Sequence, residues 1–146
     1  MRVTGRSMTP YLIDSDLVTL EPVGPADIRL GDLVYTQQPG LPPLLHRVVG
    51  RVRGKDGGWT VLTKGDALAT RDPAVQAGYV AGRVSTIVRL LPSGTCREVR
   101  LKTRYRGWLQ FCLACGSRSA PRLFSSISRR LFARPDRLEG KAPRTH

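Results

Sequence analysis

The sequence predicts a mainly β, antiparallel domain over residues 1–92. A basic extension with short amphipathic helices follows over 93–134, then a disordered polar tail over 135–146. Three observations predict this. Short runs rich in Val, Leu, Ile and Thr recur about every ten residues in the first two thirds of the chain, the spacing of an all-β domain. Gly, Pro and Asp-Gly punctuation separates these runs. After Pro92 the apolar residues shift to helix-like spacing and arginines multiply. A chain of 146 residues accommodates one domain and a tail.

In order, Gly5-Arg6-Ser7-Met8-Thr9-Pro10 opens the domain as a stiff corner. Gly5 lacks a Cβ and permits a tight bend, while Pro10 fixes the exit and drives Thr9 towards an extended conformation. By themselves these residues describe an ordinary turn. Asp16-Leu17-Val18-Thr19-Leu20-Glu21 alternates polar and apolar, the pattern of a half-buried strand. Pro22 to Ile28 is loop. Leu30 to Thr36 is a turn entering a second strand, with Asp32 placed to bond its own backbone.

Gln37 to Pro43 is a surface connection, and Leu44 to Arg53 is an apolar, β-branched strand around His46. Asp56-Gly57-Gly58 supplies the positive φ angles of a tight hairpin, and Trp59 to Thr63 returns as a strand. Lys64-Gly65-Asp66-Ala67 and Asp72-Pro73 are turns, and Tyr79 to Arg89 is a last long strand. Cys96 to Tyr105 alternates basic and apolar residues and is a candidate for one more exposed strand. Trp108 to Phe132 divides at Gly116 and Pro121 into two short helices with a basic face.

Charge is uneven. Residues 1–96 carry 11 Lys/Arg against 8 Asp/Glu, whereas residues 97–146 carry 13 against 3. The basic segment therefore attracts phosphate, in lipid headgroups or nucleic acid, and says little about the β domain. No aromatic–basic interleaving marks a base-reading surface, so nucleic acid is not expected as a partner. An anionic membrane surface is the candidate partner for the amphipathic segment. Cys96, Cys112 and Cys115 are odd in number, which argues against a disulfide framework; Cys112-x-x-Cys115 lacks the second ligand pair of a closed metal site. No secretory signal opens the chain, and no apolar run reaches the ~20 residues of a spanning helix. The expected location is membrane-associated or cytoplasmic.

Ser7, His46 and the aspartates Asp66 and Asp72 supply the residue types of a Ser-His-Asp relay, which occurs in several unrelated chain orders. Taken as a set, Gly5-x-Ser7-Met8-x-Pro10, Gly31-Asp32-Leu33-Val34, His46-Arg47-Val48-Val49, Thr63-Lys64-Gly65-Asp66-Ala67 and Asp72 resemble the signal peptidase I family of serine peptidases. The resemblance spans about Val3 to Arg89. It is to the archaeal and endoplasmic-reticulum branch, in which a histidine replaces the general-base lysine.

The resemblance implies a signal-peptidase-like β domain with a short helical turn at Tyr11-Leu12-Ile13. It implies Ser7 as nucleophile, His46 as general base, and Asp66 as the orienting carboxylate with Asp72 in reserve. The Ser7 amide would donate to the oxyanion, with Thr4 or another backbone group standing in where relatives carry a hydroxyl at the position of Gly5. Lys64 is the rival base, since related enzymes and self-cleaving repressors use a Ser-Lys pair, but a lysine needs deep burial to be neutral. Asp32 reads as a structural turn residue. No cofactor is required. The family usually carries a membrane anchor ahead of the serine motif, so a membrane-anchored partner, a precursor polypeptide substrate or a dedicated small peptide substrate are all expectations. The alternative is a degenerate relative serving as a basic binding module for anionic lipid or nucleic acid.

Overall fold

The computed structural model of the protein describes residues 1–101. The expected helices of 108–132, Cys112, Cys115 and the polar tail lie outside those residues. Seven strands form one antiparallel sheet: β1 (Leu17–Glu21), β2 (Leu33–Thr36), β3 (Leu44–Arg53), β4 (Trp59–Lys64), β5 (Val75–Gln76), β6 (Val80–Leu90) and β7 (Cys96–Arg100). Their order is β1-β6-β2-β3-β4-β5, with β7 also paired to β6. A three-residue 3₁₀ turn, Ala77–Tyr79, leads into β6.

The long strand β6 organises the sheet. Arg83 is paired to Glu21 of β1 and to Val34 of β2, so those strands take opposite edges. Further along, Thr86 to Leu90 pair with β7 while Thr86 to Val88 also pair with β1. One edge of β6 thus serves β2 and then β7, and the sheet forks there.

Successive residues of a strand face opposite sides, and the core divides accordingly. Leu33 of β2 enters a cluster with Val3, Met8, Tyr11, Leu12, Val18, Val84 and Ile87. Its neighbour Val34 enters a second cluster with Ile28, Val48, Val61, Val75, Ala77 and Val80. Each fully buried Val or Leu contributes about 1.5–3 kcal/mol. The first cluster is what packs the serine corner on the sheet: Met8, Tyr11 and Leu12 are all buried.

Hydrogen bonds close the neck of that corner. The Val3 amide donates to the Asp16 carbonyl and the Ser15 amide to the Val3 carbonyl. Asp16, 1% exposed, receives two nitrogens of Arg89 from β6, and Arg89 also donates to the Tyr11 carbonyl. Tyr11 to Ile13, expected as a helical turn, lies in a turn region without helix, where the Leu12 amide donates to the Met8 carbonyl. Of the expected C-terminal extension, the described residues include the strand β7. No helix among the described residues is long and apolar enough to cross a membrane.

Candidate active site

His46 lies on β3 opposite Val34 of β2, with 4% of its surface exposed. Its Nε2 is 2.9 Å from Ser7 Oγ and its Nδ1 is 2.7 Å from Asp72 Oδ2. A carboxylate only accepts, so the tautomer that fits this geometry has its hydrogen on Nδ1 and a lone pair on Nε2 facing the serine hydroxyl. Three side chains from the corner, β3 and the β4–β5 connection thereby form one chain of hydrogen bonds.

Asp72 sits in the irregular segment between β4 and β5, and Pro73 after it restricts its backbone to extended conformations. Its amide donates to the Thr63 carbonyl at 2.9 Å, and its Oδ2 accepts the Thr63 hydroxyl at 2.7 Å.

Asp66, the first choice for the orienting carboxylate, stands elsewhere. Arg47 holds it in two bonds, Nε to Oδ1 at 2.8 Å and Nη2 to Oδ2 at 2.7 Å. Both side chains are almost completely buried. Arg47 follows His46 on a strand, so it points to the other face, and Asp66 meets it there. Arg47 also donates to the Gly31 carbonyl and lies over the Tyr11 ring at 4.8 Å. Burial, the largest influence, would depress the guanidinium's pKa; the Asp66 charge and hydrogen bonds, joined by Tyr11 and Asp32, together carry the net shift upward. Geometry therefore sets Asp72, the reserve, on His46, and makes Asp66 a brace.

That brace fixes the turn on which the serine rests. The Ala67 amide donates to the Ser7 carbonyl at 2.8 Å, and a Cβ on Gly65 would come within 2.7 Å of that same oxygen. Gly65 is needed for this approach, not for its φ. Gly5, by contrast, adopts φ +92° with open space around it, the bend expected of it. The Ser7 amide donates to no group among the described residues, and Thr4 is exposed.

Lys64 is half-buried at the end of β4, in register with Arg47 rather than with His46. Asp32 lies apart from the relay: it accepts the Arg29 amide at 2.9 Å and faces Arg83, which also binds Glu21. Burial pushes the Asp32 carboxyl up, against the Arg29 amide and the Arg83 charge. Cys96 is an exposed free thiol.

Thr63 and Arg47 both stand within the sequence motifs without an assigned role. An arginine within a strand is ordinarily exposed unless paired, so the burial of Arg47 is seen only in the fold. Compared with known proteins, the chain matches no family model, no curated protein and no solved structure.

Proposed function

We propose that the protein is a serine endopeptidase of the signal peptidase I type, cleaving a peptide bond in a precursor protein or peptide through an acyl-enzyme on Ser7. One observation carries the reading: the continuous chain from Ser7 Oγ through both nitrogens of His46 to Asp72. In this reading Ser7 Oγ bonds to the scissile carbonyl carbon as its proton passes to Nε2. The C–N bond then breaks as Nε2 gives that proton to the leaving amine. Water enters by the same relay and hydrolyses the ester. Asp72 holds the imidazole in the required tautomer and stabilises its cationic form. The Ser7 amide, which donates to no group among the described residues, is the candidate oxyanion donor, a contribution of about 2.7–4 kcal/mol to the barrier. The basic segment 97–146 would bring the domain to anionic lipid, near a membrane-borne precursor.

The test is labelling of the full chain with a serine-directed acylating probe. The native protein is expected to label, and Ser7→Ala and His46→Ala are not. Equal labelling of all three removes the peptidase reading and leaves a basic binding module, whose lipid or nucleic-acid binding falls steeply with salt.

A further inference from the structure

The carboxylate of the relay is on a loop, and a relay needs its members held to a fraction of an ångström. Residues 65–74 contain neither strand nor helix. Among the described residues, apart from His46, every hydrogen bond that holds Asp72 comes from one residue. Thr63 gives its carbonyl to the Asp72 amide and its hydroxyl to Asp72 Oδ2. Thr63 is on β4, 1% exposed and in register with Val48 of β3, so it is as fixed as any residue of the sheet.

A buried threonine hydroxyl needs some acceptor, and a bond to the loop would by itself be only structural. What singles this one out is the oxygen chosen. The Thr63 hydroxyl and the His46 Nδ1 hydrogen both reach Oδ2, each at 2.7 Å. Two donors on one oxygen leave the carboxylate no freedom to rotate without breaking one of them. They also keep that oxygen's charge directed at the imidazole.

We propose that Thr63 is a positioning residue of the relay: its hydroxyl aims Asp72 Oδ2 at His46, and through it aligns the imidazole on Ser7. This rests on the peptidase reading for its catalytic consequence, whereas the hydrogen-bond consequence stands independently. Thr63→Val removes the hydroxyl and keeps the backbone bond, the shape and the β-branching. Thr63→Ser restores a hydroxyl. The full chain is assayed with a p-nitrophenyl ester that acylates serine, following p-nitrophenolate release. The low-field Nδ1–H proton resonance of His46 is recorded in parallel and assigned by its loss in His46→Ala.

Thr63→Val is expected to lower kcat about 10- to 100-fold with KM unchanged, and to broaden or abolish the resonance. Thr63→Ser is expected to recover both, and thermal melts verify that each variant is folded. A folded Thr63→Val with native kcat and a native resonance overturns the proposal. Ester turnover that is the same in the native chain and in Ser7→Ala overturns the peptidase reading instead. The resonance then decides the role of Thr63: its persistence in Thr63→Val ends the proposal, and its loss upholds the aiming of Asp72.

Discussion

Asp66 and Asp72, close in sequence, have opposite environments. Asp72 keeps one oxygen on an imidazole, and Asp66 has both on a guanidinium. Their amides should therefore fail differently. Asp72→Asn is expected to cut Ser7 acylation about a thousandfold or more by favouring the wrong tautomer, with little change in melting temperature. Asp66→Asn leaves Arg47 buried with an uncompensated charge and should cost about 3–5 kcal/mol in urea unfolding. Ser7 and His46 were legible in the sequence only as members of a motif set, since the Gly-Ser-Pro corner alone reads as a turn and a histidine in a β-branched run as an ordinary strand residue. The choice between the aspartates was not, because it depends on which face of β3 each loop reaches. Nothing in the order of residues 64–73 states that.

At the scale of elements, the serine corner is held from two sides by unlike means. Apolar side chains Met8, Tyr11 and Leu12 anchor it below, and the 65–67 turn meets its backbone from beside. Gly65→Ala drives a methyl into the Ser7 carbonyl, and the expected outcome is a loss of about 1–3 kcal/mol. Acylation of Ser7 should fall further than stability alone explains, as comparison of probe labelling with the unfolding curve would reveal. The strands β3 and β6 were predicted to within a residue because they are long and β-branched. The two-residue β5 was missed, since so short a run has no periodicity to read. The fork of β6 was equally invisible, because a sequence carries no mark of which edge a later strand will take.

Across the whole molecule, the first sixteen residues and the last long strand are far apart in sequence and joined by the Arg89–Asp16 pair. With Asp16 1% exposed, Arg89→Met strands a buried carboxylate. The expected loss is about 3–5 kcal/mol by chemical denaturation, and the corner it secures should become the first segment cut by a limiting protease. Fold and site are coupled through such pairs, because the corner has no regular secondary structure of its own.

The alternation of His46 and Arg47 along β3 has a consequence for folding. A slip of β3 by one place against β2 would exchange imidazole and guanidinium between the two faces of the sheet. Arg47 would then confront Val34 and its apolar companions Ile28 and Val61, Asp66 would lose its counter-charge, and Ser7 would face no base. Misassembled chains would thus be inactive and unstable at once, so an errant register is eliminated by the same two neighbours that make the correct one reactive.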